Sequence, residues 1–444
     1  MRLAMQVFFT NLGCKLNQAE VDRLARRFVA AGHRLAPRLE EADLHVVNSC
    51  TVTHLAARDS RKIARRGHRL RAEMKTVLTG CYATDSEEEA KSLAGVDLVV
   101  SNEHKEHLLE AVHDAFPALR PRADAGIPIP YVPLELGLAR APVKVEDGCN
   151  MRCSFCIIPS TRGRQRSRRL EQVVQEVQAL ADGGFAEVVI TGVQISEYDD
   201  EGRRLYDLVR ALLEKTTVPR LRVTSLAPWK FDDRLLDLWA DPRLCRHIHM
   251  SLQSGSTATL RRMRRPYSAD AYEALAEKLR ARIPGLALTT DVIVGFPGED
   301  EQEFAESLAF VERLAFAKPH CFTYSSREGT HAADLPDHVP HPLKKERMGA
   351  MLEVARRSER AFWRQSLGGE ASVVWESERG AGWTGLTDHY IRVFARDVPG
   401  ARLGALSRVR LEELGEKGVL ATPVVGESMS APALLPIYVP TPPA

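Results

Sequence analysis

The sequence predicts an α/β protein in three parts: an N-terminal α/β domain with a parallel sheet, a central partial (βα)6 barrel, and a small C-terminal antiparallel β-barrel. Three observations predict it. Apolar or β-branched runs alternate with helix-period patterns through the first hundred residues, and six more such steps fill the middle of the chain. From about Ala371 the pattern changes to short β-type runs separated by Gly and Pro. The length of 444 residues suits about two to four domains.

In the first part, strands are expected at 6–10, 44–48, 76–79 and 97–100. Between the first two, Val21, Leu24, Ala25, Phe28 and Val29 recur at helical spacing and Gly32 closes the helix. Repeated βα order implies parallel pairing. Several prolines between 119 and 142 read as a connector. Strands of the central series are expected at 143–145, 187–191, 221–225, 247–252, 287–294 and 320–324, with helices at 170–181 and 301–314. The C-terminal runs are 372–375, 389–395, 407–411 and 418–423. The expected division is 1–118, a linker at 119–140, 141–368, 369–438 and a tail at 439–444.

Hydrophobic residues make up 44%, charged residues 27% and aromatics 6%, which excludes collagen-like, low-complexity and mainly disordered chains. Lys and Arg number 61 against 59 Asp and Glu, so the net charge of +2 demands no polyanion, and an argument for nucleic acid must come from local patterning. No stretch approaches the roughly 20 apolar residues of a membrane helix. The first nine residues are interrupted by Gln6 and lack a small-residue cleavage site, so no signal peptide is expected. A cytoplasmic protein without a membrane partner is the expectation.

Eight cysteines are too few for a disulfide scaffold, and their placement is a metal-site pattern. Cys14, Cys50 and Cys81 each fall just past the C-terminal end of a different expected strand, where open α/β sheets bind ligands. Cys149, Cys153 and Cys156 crowd into one loop after the first strand of the central series. Three local thiolates satisfy three irons of a 4Fe-4S cube and leave the fourth open. Structural zinc wants four closed ligands and usually a second close pair, which this loop lacks. Cys245 and Cys321 stand alone and are expected to pack. His247 and His249 alternate on a strand and so share one side.

The spacing Cys-x3-Cys-x2-Cys, with Phe155 before the third Cys, resembles the radical S-adenosylmethionine enzymes. In that superfamily the open iron binds S-adenosylmethionine, and electron transfer releases a 5′-deoxyadenosyl radical. The segments 251–256 (SLQSGS) and 291–299 (DVIVGFPGE) resemble its cofactor-pocket segments. The resemblance implies Phe155, Gly192, Ser225, Gln253, Ser254 and Gly295 as cofactor-binding residues. Together with LGCKLN at 12–17, NSCTVT at 48–53 and TGCYA at 79–83, the sequence is similar to the methylthiotransferase family over nearly its whole length. The likeness implies an auxiliary 4Fe-4S cluster on Cys14, Cys50 and Cys81, a radical cluster on Cys149, Cys153 and Cys156, and a TRAM-like C-terminal barrel. It further implies an external electron donor, a sulfur donor and a tRNA substrate.

Within that family, Lys-Leu-Asn after Cys14 and Thr-Val-Thr after Cys50 look most like the branch acting at C2 of threonylcarbamoyladenosine in tRNA. The alternatives are isopentenyladenosine in tRNA or an aspartate of a ribosomal protein. A rival of another class is a non-catalytic, zinc-stabilised RNA-binding protein.

Charge patterning points to RNA independently. Arg58, Arg61, Lys62, Arg65, Arg66 and Arg69 recur at helical spacing on one face, where phosphates would relieve their repulsion. Arg162, Arg164, Arg166 and Arg168 alternate, so an extended segment would point all four the same way. Arg261, Arg262, Arg264 and Arg265 form a third cluster. Of the C-terminal aromatics, Trp375, Trp383, Tyr390 and Phe394 are expected to form the barrel core rather than to stack on bases.

Overall fold

The computed structural model describes residues 5–120, 138–380 and 382–424. The expected tail lies wholly outside the described residues, and the expected linker largely so. The described residues fall into two compact units, one formed by 5–120 together with 160–163, the other by 138–159, 164–380 and 382–424.

In the first unit, β1 (Gln6–Asn11), β2 (Arg34–Leu35), β3 (Leu44–Ser49), β4 (Lys75–Gly80) and β5 (Leu98–Val100) form one parallel sheet in the order β2-β1-β3-β4-β5. The four expected strands are present; β2 is an added edge, too short to leave a periodic signal. Helix α1 (Lys15–Ala30) buries Leu24 and Phe28 against Val7, Leu44 and Val46, and a fully buried Phe contributes roughly 2–3 kcal/mol. Thr53 caps α2 (His54–Ala64) by accepting from the Ala56 amide at 3.1 Å. The expected basic helix breaks at Arg65, beyond which α3 (Arg66–Leu70) follows. Register matters most for function. Asn11 pairs with Asn48, Asn48 with Thr79, and Ser49 with Gly80, so β1, β3 and β4 end in line.

The second unit contains the six expected parallel strands, divided into two three-stranded sheets. Arg220–Val223, Glu187–Thr191 and Ala141–Lys144 form one sheet; His247–His249, Ala287–Val294 and Lys318–Thr323 form the other. Isolated parallel bridges at Leu221–Leu244 and Leu226–Met250 connect the series. Helices Leu170–Asp182, Ala269–Arg282 and Glu301–Leu314 follow strand–helix alternation. Tyr272 from the second of these donates to Met250 O at 2.7 Å, which marks the helix-covered face of the sheet. His247 and His249 occupy the same side of their strand, and both meet Thr289 Oγ1, at 3.0 and 3.1 Å.

The C-terminal barrel is closed, in the order Glu370–Arg379, Gly382–Thr387, Arg392–Arg396, Val419–Pro423, Leu406–Leu414. It differs from the expectation in two ways: the Gly382–Thr387 strand is additional, and Arg392–Arg396 pairs with Val419–Pro423 in parallel. Trp375 is fully buried in its core with Val393 and Val409, and Trp383 packs alongside. Tyr390 instead stacks on His247, ring centroids 4.2 Å apart and 7° from parallel.

This barrel is bound to the central sheet through buried ions. The Glu187 carboxylate meets Arg220 at 2.6 Å, Arg222 at 2.7 Å and Arg140 at 3.6 Å. The two inner guanidinium groups also reach barrel carbonyls: Arg220 donates to Ser372 O at 3.0 Å, and Arg222 to Thr387 O at 3.0 Å and Asp388 O at 2.9 Å.

Candidate functional site

Because β1, β3 and β4 end in line, the turns that follow them carry Cys14, Cys50 and Cys81 along one edge of the sheet. Cys14 is the N-cap of α1 and Cys81 opens α4 (Cys81–Asp85). Gly13 and Gly80, both with φ near +98°, allow the turns to crowd together. A Cβ on Gly13 would lie 2.9 Å from Cys50 Sγ, and one on Gly80 would lie 2.6 Å from Asn48 Oδ1. Any other residue would be strained and would push the loops apart.

Polar groups surround these thiols. Asn17 Nδ2 donates to Leu12 O at 2.7 Å and Ser49 O at 3.1 Å, bracing the turns before Cys14 and Cys50. Asn102 Nδ2 approaches Cys81 Sγ at 3.7 Å and donates to Thr161 O at 2.8 Å. Cys14 is exposed, yet the protein atoms packed around its sulfur raise the thiol pKa, an effect that Arg162 and the hydrogen bond at Asn17 oppose. Burial pushes Cys50 up to about 11.

In the second unit, the loop bearing Cys149, Cys153 and Cys156 is fastened through Ser154. Ser154 N donates to Met263 O at 3.1 Å, Ser154 Oγ to Arg262 O at 2.8 Å, and Ala332 N to Ser154 O at 2.7 Å. Phe155 packs with Met263, Phe296, Tyr324 and Ala332, so it anchors the loop through an apolar cluster. The thiols face polar donors: Arg265 Nη1 lies 3.3 Å from Cys153 Sγ, and the Met151 amide 3.4 Å from Cys149 Sγ. Cys149 Sγ in turn lies 3.7 Å from Gln194 Oε1. Burial raises the Cys149 thiol and pushes Cys156 up to about 12.

Among the described residues, no three His, Cys, Asp or Glu side chains gather closely enough to hold a single metal ion. A 4Fe-4S cube spreads its thiolates over separate irons. Each trio offers three soft sulfur donors at strand ends, and burial disfavours the thiolates of Cys50 and Cys156 until positive charge arrives. The donor sets therefore fit iron–sulfur clusters.

The other expected cofactor residues sit at strand ends of the second unit. A Cβ on Gly192 would lie 2.7 Å from Glu146 Oε2, which accepts from the Gln194 amide at 2.8 Å. Ser225 and Gln253 adopt φ of 62° and 75°, a left-handed backbone that a non-glycine residue holds only under constraint. Ser254 is fully buried. Gly295 donates its amide to Glu299 Oε1 at 2.9 Å, and Arg347 donates to the same oxygen at 2.9 Å.

The arginine clusters separate. Arg58, Lys62 and Arg66 are exposed, whereas Arg61 leans over the Tyr82 ring at 5.6 Å and meets Glu89 at 3.7 Å. The expectation that Arg162, Arg164, Arg166 and Arg168 share one face is corrected, because Ile158–Arg162 is helical and Arg162 is buried against Glu20 at 2.9 Å. Arg166 pairs with Asp147 at 2.9 Å and Arg168 with Glu176 at 2.7 Å, while Arg164 is exposed. Arg262 pairs with Glu303, and Arg265 turns inward to Cys153, leaving Arg261 and Arg264 exposed. Cys245 is buried, as expected of a packing residue. Asn17, Glu20, Asn102, Lys105 and Gln194 were not foreseen; a polar residue on the buried face of an amphipathic helix, as Glu20 is on α1, is the signal that finds such groups.

The profile of the Radical SAM superfamily matches residues 143–311, and that of Uncharacterized protein family UPF0004 matches residues 6–101. The radical S-adenosylmethionine methyltransferase TsrM from Kitasatospora setae, solved with cobalamin and a 4Fe-4S cluster bound, shares the fold at a TM-score of 0.55. It is 17% identical, covering 74% of this chain and 77% of that one. Fold and site together define a radical S-adenosylmethionine enzyme, whose cofactors are S-adenosylmethionine and 4Fe-4S clusters. The chain is 32% identical to the threonylcarbamoyladenosine tRNA methylthiotransferase MtaB of Bacillus subtilis, over 92% of this chain and 94% of the relative. For the MtaB of Aquifex aeolicus the identity is 35%, over 88% and 96%. The tRNA-2-methylthio-N(6)-dimethylallyladenosine synthase of Geobacillus kaustophilus is 32% identical, over 84% and 73%. The chain belongs to the radical S-adenosylmethionine methylthiotransferase family.

Proposed function

We propose that this enzyme adds a methylthio group to C2 of threonylcarbamoyladenosine in tRNA. The observation that carries the reading is a pair of cysteine trios at strand ends of two parallel sheets, in a chain similar to MtaB proteins over nearly its full length. Cys149, Cys153 and Cys156 would hold the cluster that binds S-adenosylmethionine; Cys14, Cys50 and Cys81 would hold the auxiliary cluster. When bound, these groups supply the one-electron and sulfur chemistry needed at an unactivated carbon–hydrogen bond.

The protein's own residues prepare the sites. Arg265 and the Met151 amide present donors to thiolate sulfurs, and the cluster of Phe155, Phe296 and Tyr324 keeps water from the back of the loop. Gly192, Ser225, Gln253, Ser254 and Gly295 would line the nucleoside pocket, with Phe155 holding the cluster loop beside it. The exposed cations Arg58, Lys62, Arg66, Arg164 and Arg166, with half-buried Arg65, would meet tRNA phosphates, which position the substrate without reading sequence. An adenosine in an RNA loop can be turned out of its stack for reaction. No helix among the described residues is long and apolar enough to cross a membrane, and we place the enzyme in the cytoplasm with its tRNA, an electron donor and a sulfur source.

The test is nucleoside analysis of tRNA from a deletion strain complemented with variants. Wild type restores 2-methylthio-threonylcarbamoyladenosine; restoration of the dimethylallyl product instead would overturn the substrate reading. Ala at Cys149, Cys153 or Cys156 abolishes cofactor cleavage in the purified enzyme, whereas Ala at Cys14, Cys50 or Cys81 spares cleavage and loses methylthiolation. Methylthiolation retained in either set contradicts the cluster assignments.

A further inference from the structure

Beneath Cys14, Cys50 and Cys81 lies a set of buried ions that the reaction as described does not use. Asn17 and Glu20, one turn apart on α1, face inward. Glu20 Oε1 accepts from Arg162 at 2.9 Å, and Glu20 Oε2 from Lys105 Nζ at 2.7 Å. Lys105 also donates to Asn48 Oδ1 at 3.0 Å, and Asn48 Nδ2 donates to the Asn17 carbonyl at 2.9 Å. Arg162 donates as well to Asn17 Oδ1, the atom that faces Cys14 Sγ at 3.9 Å. The side chains of Arg162, Glu20 and Lys105 are 1%, 2% and 5% exposed.

Taking such ions out of water is costly, and apolar residues of similar size would usually serve stability as well or better. Two cations gathered on the carboxylate of Glu20 beside three thiols therefore call for a use other than packing. Their placement supports one: Arg162 reaches Cys14 through Asn17 Oδ1 and favours the thiolates of Cys14 and Cys50, and Cys81 favours the charged form of Lys105. Thiolate-bound clusters are anionic, and their potentials follow net charge, hydrogen bonds to sulfur and exposure.

We propose that Arg162 and Lys105, oriented by Glu20, are positioning residues that supply buried positive charge to the auxiliary cluster and set its reduction potential. The proposal rests on the assignment of that cluster to Cys14, Cys50 and Cys81. It also gives Arg162 a purpose unrelated to RNA.

The experiment uses the full chain carrying Cys149→Ala, Cys153→Ala and Cys156→Ala, reconstituted anaerobically so that only the auxiliary cluster remains, and titrated with dithionite under electron paramagnetic resonance. Arg162→Met is expected to move the midpoint potential to more negative values, Glu20→Gln to more positive values, and Arg162→Lys to leave it near the parent. A role confined to packing predicts no such opposition of sign, so unchanged potentials, or shifts in one direction for both charge variants, overturn the proposal. Should Arg162→Met hold no cluster, Glu20→Gln and Arg162→Lys decide by the same signs. Adding Cys14→Ala, Cys50→Ala and Cys81→Ala should erase the signal; if it persists, the cluster assignment fails, independently of the charge effect.

Discussion

Arg265 donates from Nη1 to Cys153 Sγ at 3.3 Å, while its guanidinium carbon lies 4.5 Å from the Trp229 ring centroid and 5.4 Å from that of Tyr267. Tyr267 is itself fixed, its hydroxyl donating to Ser251 O at 3.0 Å. The charge is thus pinned against the Cys153 sulfur by two aromatic faces.

Replacing Arg265 by Met should lower cofactor cleavage by roughly 10- to 100-fold, the equivalent of a hydrogen bond to a charged group worth about 1.5–3 kcal/mol. Arg265→Lys should recover part of it. Release of 5′-deoxyadenosine, measured beside iron content per chain, checks this; wild-type cleavage in Arg265→Met would remove the residue from the site.

The ion set at Glu187 predicts a pH dependence of stability. Burial alone would raise this carboxyl, but Arg220, Arg222 and Arg140 reverse that and hold it far below the usual carboxylate range. Its contribution is complete above the unfolded value of about 4.3 and is lost as pH falls toward the folded value. Glu187→Ala should cost about 3–5 kcal/mol at neutral pH, because it strands buried guanidinium groups. Its unfolding midpoint should also fall less steeply than that of wild type below about pH 4. Thermal denaturation from about pH 3 to 7 tests both, and parallel curves for the two proteins would refute the linkage.

Exposed cations on α2 should contribute to tRNA affinity through counterion release. Charge reversal at Arg58 and Lys62 should weaken binding across tRNA species and reduce the slope of log affinity against log salt by about 0.7–0.9 for each phosphate left unneutralised. Binding measured from about 50 to 200 mM salt is the check. An unchanged slope excludes this helix from the interface.

How far the sequence led depended on whether a feature was local. Glu187–Thr191, Ala287–Val294 and Glu301–Leu314 fall on their expected boundaries, because periodicity and caps are written within each segment. The cysteine trios were visible for the same reason: strand ends are local and parallel order brings Cys14, Cys50 and Cys81 to one edge, while Cys149, Cys153 and Cys156 share a single loop. The Gly382–Thr387 strand escaped because Gly382 and Gly385 dilute its β signal. Arg162 was misplaced because alternation suggested an extended segment, while its true destination, Glu20, is 142 residues away in sequence. Arg265 sat in a run of like charges whose members part company only once Glu303 and Cys153 are brought close.

The grip of Arg220 and Arg222 on the C-terminal barrel falls on main-chain oxygens of Ser372, Leu386, Thr387 and Asp388. Every amino acid carries that oxygen, so these contacts constrain the path of the barrel's backbone rather than its side chains, except at Asp388, whose carboxylate also meets Arg246 at 2.8 Å. Homologous barrels with different side chains at the other three positions could be grafted onto the same central sheet, provided their chains follow the same course and keep the carboxylate at Asp388.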